Sequence, residues 1–228
     1  MIVSVPPTGS VVTIRQQFYK ASLPPITLEH LDLASLTTNS IADLVATLSS
    51  GTRLGVAASY GKKCVLEALA FSTDSRVLLI TINDASRSAK RQKQILRNEL
   101  LCNISLEKHG FFMERLAAAL HLDLGLYIRH AFDITSDGDK RGSMAMYKAV
   151  LARARAGDFL VESVVESIFA EQPFIQSRKN LFALRAWACY VGVNALPEKL
   201  GAIDTSDKDP KARSTYQARM VLADRSDQ

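Results

Sequence analysis

Three apolar runs follow one another closely in this chain: Leu54–Ser59, Cys64–Phe71 and Arg76–Ile82. Two short polar stretches, SYGKK and STDS, separate them. Short apolar runs bounded by turn residues read as strands rather than helices. Tight connections force such strands to run antiparallel to their neighbours. A chain carrying this block has to build a sheet, and every other segment has to pack against it.

The surrounding segments read mostly as helices. TTNSIADLVATLSS places Ile41, Leu44, Val45 and Leu48 in one stripe, capped by Asn39 or Ser40, and Gly51 ends it. NDASRSAKRQKQILRNELL reads as a helix capped by Asp84 or Ser86, CNISLE as a short strand and GFFMERLAAALHL as an amphipathic helix. LYIRHAFDITS reads as another strand, followed by helices near 143–155, 159–171 and 178–191, a polar loop, and a last helix near 214–224. The expected architecture is α/β: a mixed sheet of about five strands flanked by α-helices. Residues 1–37, punctuated by SVPPTGS and SLPPIT around a β-prone piece at Val11–Ile14, read as an N-terminal arm. Residues 38–228 read as a single domain.

The bulk properties narrow the classes of function. With 228 residues and 47% hydrophobic content, the chain can bury one sizeable core. No apolar run approaches the length of a membrane span, and the N-terminus lacks the pattern of a secretory signal. Cys64, Cys102 and Cys189 form no metal-binding or disulfide pattern, which points to a reducing intracellular compartment, nucleus or cytoplasm. The formal charge of +5 permits contact with nucleic acid without demanding it.

Five segments, taken in order, carry a resemblance. TTNSIADLVATLSSGTRLGVAAS looks like an opening helix and first strand, and ISLEKHGFFMERLAAAL like the strand and helix of a second motif. LGLYIRHAFDITS resembles a strand ending in Phe-Asp-Thr, NLFALRAWACYVGVNAL a following helix, and STYQARMV a closing Tyr-x-x-x-Asp motif. Together, over about Thr38–Asp224, they resemble the RNase D and Werner-type 3′–5′ exonucleases, which have an RNase H-like fold. The resemblance implies four carboxylates holding two metal ions that activate water and stabilise the leaving oxygen.

Position by position, the carry-over removes most of that machinery. The first-motif Asp and Glu fall on Ala57 and Ser59, and the second-motif Asp falls near Glu114. The closing Tyr falls on Tyr216 and its Asp on Met220. At most one carboxylate of four remains, too few for two Mg²⁺ or Mn²⁺ ions. The resemblance therefore implies a catalytically inactive exonuclease-like domain without a metal cofactor, binding RNA, DNA or a nucleic-acid-processing partner. One alternative is an active exonuclease that uses Mg²⁺ or Mn²⁺ on displaced carboxylates, with Glu67, Glu114, Asp133 and Asp224 converging. Another is a protein-interaction or dimerisation module that binds no nucleic acid. No membrane partner is expected.

Outside these motifs, RSAKRQKQILR carries Arg87, Lys90, Arg91, Lys93 and Arg97 with no acidic residue. Such a segment either contacts phosphates or is a solvated helix face. Lys140, Arg141, Lys148, Arg178 and Lys179 would extend the patch. Aromatic residues do not interleave with these basic runs, so no stacking platform is visible. Asp133 reads as a cap for the turn or helix after it, Tyr216 as an ordinary helix tyrosine, and His109 as a structural histidine.

Overall fold

In the computed structural model a mixed seven-stranded sheet runs through the molecule in the order β1-β2-β5-β4-β3-β6-β7. The structure describes residues 10–16, 23–48, 52–134, 161–170 and 173–194. The apolar block folds as expected. β3 (Arg53–Tyr60), β4 (Leu66–Ser72) and β5 (Arg76–Thr81) form two successive antiparallel pairs. A bulge between Ser59 and Tyr60 brings Tyr60 opposite Leu66. β6 (Glu107–Gly110) lies parallel to β3, and β7 (Ala131–Asp133) lies parallel to β6.

The other two strands lie within the stretch expected as an arm over 1–37 and raise the count from about five to seven. β1 (Ser10–Ile14) pairs antiparallel with β2 (Ile26–Asp32), and β2 lies parallel to β5. Pro24 and Pro25 stop short of β2, so its backbone N–H groups are available to the ladder. Its partner Arg76–Thr81 is distant in sequence, which a local reading does not reveal.

The helices differ from expectation mainly at their ends. α1 (Thr38–Val45) is capped by Thr37, whose hydroxyl accepts from the Ser40 N–H at 3.2 Å. α2 (Asp84–Ser88) is capped by Asn83 and is broken from α3 (Lys90–Ile95) at Ala89, where ψ is 72°. The single helix expected there is thus two, the second continuing as a π-turn over Leu96–Leu101. α4 (Met113–Ala119) widens likewise over Leu120–Leu124, and Gly125, at φ 66°, ends it in the left-handed conformation. α5 (Glu162–Phe169) and α6 (Lys179–Asn194) follow. The expected helices at 143–155 and 214–224 lie outside the described residues. No helix among the described residues is long and apolar enough to cross a membrane.

The two faces of the sheet are built differently. One presents large side chains, including Leu54, Val56, Leu69, Phe71 and Ile80, to α1, the π-turn after α3, and α4. On the other, β3 and β4 present Ala57, Ala68 and Ala70 to α6. Small residues there let α6 come close. A Cβ added at Gly55 would lie 2.2 Å from the Ala186 carbonyl oxygen and 2.4 Å from the Tyr190 nitrogen. α6 is buried around much of its circumference, at Ala183, Leu184, Ala186, Trp187, Ala188 and Cys189 among others. Its Trp187 indole N–H donates to the Asp74 carbonyl at 2.8 Å, which ties it to the turn between β4 and β5. Because backbone cannot yield to a new methyl group, Gly55→Ala is expected to lower stability by about 1–3 kcal/mol, read as a drop in the urea midpoint.

Lys108, on β6, is fully buried. Its ammonium donates to the carbonyls of Asn103 at 2.8 Å and Leu106 at 2.7 Å. Burial nonetheless lowers its pKa from 10.5 to about 8. Between those values the unfolded chain holds a proton that the folded chain has released, so this group makes stability rise with pH across that window. Below pH 8 both states are protonated and the contribution is constant. Urea midpoints for wild type and Lys108→Met, compared at pH 7.5 and 9, should show a more positive slope for wild type. Equal slopes would refute the assignment.

Candidate functional site

Ala57 and Ser59 sit on β3, opposite Ala70 and Ala68 of β4, and both are buried. Beside them β6 ends at Gly110, and Phe111 and Phe112 lead into α4. A Cβ at Gly110 would lie 2.6 Å from the Val56 carbonyl oxygen, so only glycine lets this corner close against β3. Phe112 is left-handed, with φ 57°, an unusual state for a residue bearing a Cβ. Its side chain is 41% exposed.

A cleft of about 240 Å³ opens at this corner. Val56 to Lys62 form one wall, and Phe111, Phe112, Arg115, Phe169, Pro173, Arg185 and Cys189 complete it. Of the residues singled out in the sequence, Ala57 and Ser59 line the cleft. Glu114 is exposed and is not part of the wall, whereas its neighbour Arg115 is. Tyr216 and Met220 lie outside the described residues.

The charge lining this cleft is positive. Among the described residues the wall holds Lys62, Arg115 and Arg185 and no Asp or Glu. The Arg115 guanidinium lies 4.2 Å from the centre of the Tyr60 ring, a cation–π contact. Arg185 donates to the carbonyls of Ile168 and Ala170, each at 2.9 Å, where α5 ends. Both guanidiniums are therefore held by their surroundings. The Cys189 thiol is fully buried, and burial pushes its pKa up to about 12, so it remains protonated and is no nucleophile.

Two of the carboxylates that a displaced metal site would use are engaged with backbone. Asp133 accepts from the Met113 N–H at 3.0 Å. It caps α4, which precedes it in the chain; the turn or helix expected after it lies outside the described residues. Glu67 packs beside Gly61 and accepts from the Phe174 N–H at 3.1 Å. Asp224 lies outside the described residues. A pair of Mg²⁺ or Mn²⁺ ions needs several oxygen ligands, most of them anionic. The described wall offers the Ser59 hydroxyl, a protonated thiol and three cations, and these do not fit such a pair. Nor do any three His, Cys, Asp or Glu residues among those described gather into a metal-binding group.

Sequence reasoning missed the aromatic content of this site. Tyr60 comes from β3, Phe111 and Phe112 from the turn before α4, and Phe169 from the end of α5. Phe111 and Phe169 meet edge to face at 5.7 Å. Arg115 and Arg185 were equally hidden, because each is a lone arginine within a mostly apolar helix. The only local signal was the pair Phe111–Phe112 placed between glycine and a helix.

The basic segment divides in two. Arg87 donates to the carbonyls of Asp123 and Leu66, each at 3.3 Å, and Lys93 donates to Leu124 at 3.2 Å. These two hold α2 and α3 against the end of the α4 extension. Lys90, Arg91 and Arg97 are exposed. None of the five lines the cleft. Of the residues expected to extend the patch, Lys179 donates to the Ser10 hydroxyl at 3.3 Å, while Lys140, Arg141 and Lys148 lie outside the described residues. His109 is structural: Glu107 Oε2 lies 3.1 Å from its Nε2, it stacks on Phe132, and burial lowers its pKa.

No family model and no curated protein matches the sequence. Solved structures do. The EXO domain of Nibbler from Aedes aegypti is 13% identical, with a TM-score of 0.50 over 73% of this chain and 87% of that one. RNase D from Trypanosoma brucei, solved as a GMP complex, is also 13% identical, with a TM-score of 0.50 over 78% of this chain and 58% of that one. The chain has an RNase D-like 3′–5′ exonuclease fold. At this identity the likeness is one of fold.

Since Phe112 has no side-chain acceptor for the start of α4, Asp133 supplies it from β7. Asp133→Ala is expected to cost about 1 kcal/mol, measured by urea denaturation at pH 7.

Proposed function

We propose that this chain is an exonuclease-like domain that binds single-stranded nucleic acid and does not cleave it. The observation that carries this reading is the wall of the cleft at Ala57 and Ser59. In an RNase D-like scaffold that place is expected to hold carboxylates and metal, and here three cations and four aromatic rings surround it. Guanidinium and ammonium groups attract phosphate, and aromatic faces stack on bases without regard to sequence. The exposed Lys90, Arg91 and Arg97 and the net charge of +5 support the same partner.

Mobility-shift assays on single-stranded RNA and DNA at low salt, with chelator present, are expected to show binding at micromolar protein. Replacing Lys90, Arg91 and Arg97 together with Gln should make affinity less dependent on salt, by up to about 0.7 in the log–log slope for each phosphate that these side chains neutralise. End-labelled strands incubated with Mg²⁺ or Mn²⁺ should stay full length. Shortened products that disappear with chelator would restore the displaced-carboxylate reading. Absence of binding, with a dimer seen by light scattering, would favour a protein-interaction module.

A further inference from the structure

We infer that the cleft at Ala57 captures the terminal phosphate monoester of a single strand, and does so without a divalent ion. This rests on the nucleic-acid reading above and specifies which part of the strand is held. Three observations support it.

The first is charge. Lys62, Arg115 and Arg185 line the cleft, and no described Asp or Glu lines it with them. Glu67 packs beside Gly61 and accepts from the Phe174 N–H, and Asp133, whose charge reaches Cys189, accepts from the Met113 N–H. A phosphate monoester carries about −1.5 to −2 near pH 7, against −1 for an internal diester. A wall of three cations therefore favours the strand end over its interior.

The second is preorganisation. The Arg115 guanidinium lies over the Tyr60 ring and Arg185 is anchored by two carbonyls. The N–H donors of a guanidinium lie in one plane, in a fork that matches two phosphate oxygens. Groups already held in place lose little freedom when the ligand arrives.

The third is size and aromatic content. About 240 Å³ is too small for a duplex and suits a terminal group. Phe112, 41% exposed in the same wall, offers a ring to the adjoining base. The left-handed backbone at Phe112 sets where that ring stands.

The test uses the full chain and fluorescence anisotropy in EDTA. One labelled single-stranded oligonucleotide is prepared with a 5′-phosphate, with a 3′-phosphate, or with hydroxyls at both ends. At least one phosphate-ended strand is expected to bind about tenfold more tightly than the hydroxyl-ended strand, and the two phosphate arms identify the end. Millimolar inorganic phosphate should remove that advantage. Arg115→Gln should abolish the discrimination, and Arg115→Lys should restore little of it, because an ammonium lacks the fork. Arg115 is exposed, so its variants should melt with wild type. Phe112→Ala should weaken binding of the phosphate-ended strand about fivefold or more, which tests the cleft independently of Arg115. Equal affinity for all three ends would overturn the inference and leave the nucleic-acid reading standing. Binding of the phosphate-ended strand that appears only when Mg²⁺ is added would overturn it as well. Failure of every strand to bind would overturn both.

Discussion

The rest of this fold is arranged around the close approach of α6 to β3 at Gly55. At Gly55 even a methyl group would strike the helix backbone, and the neighbouring side chains that β3 and β4 present on that face are small: Ala57, Ala70 and Ser72. Large side chains fill the opposite face of these two strands, so β3 and β4 are asymmetric in composition. That asymmetry brings a long apolar helix within backbone distance of the strand on which the scaffold would carry its first metal ligands. Ala57 belongs to the core beneath α6 and to the wall of the cleft at the same time. At this position packing and chemistry cannot vary independently.

The same closeness shapes the electrostatics. α6 brings Arg185 and the buried Cys189 to the cleft, and α4 brings Arg115. Carboxylates near this corner serve backbone amides, as Asp133 does at α4 and Glu67 does at Phe174. Among the described residues the charged side chains lining this surface are basic, which is the basis for proposing an anion as its counterpart. Cleavage by two metal ions and phosphate capture by guanidinium require opposite charge in one small volume, and the second is what we propose for this wall.

How much of this was legible depended on how local each signal was. The block from Arg53 to Thr81 was readable because its strands are neighbours in sequence and its turns are polar. α4 was readable from its apolar spacing. β2 was not, since its partner β5 lies far along the chain and prolines flank the segment. The caps of α1 and α2 fell on Thr37 and Asn83, one to three residues before the expected positions. Neighbouring Thr, Asn and Ser residues all offer a suitable oxygen, and only the backbone path selects among them. At the site, Ala57 and Ser59 were identified from sequence and do line the cleft. The arginines and phenylalanines that define its character came together from separate elements.

Sequence by itself determined the sheet-forming block, the α/β class and the small residues at positions 57 and 59. Those follow from hydrophobic pattern and residue identity, which are written locally. Tertiary structure alone decided that two N-terminal strands complete the sheet, that Asp133 caps a helix lying earlier in the chain, and that Arg115, Arg185 and Phe112 share a wall. Strand pairing and helix packing join residues far apart in sequence, and no local period records which of them will meet.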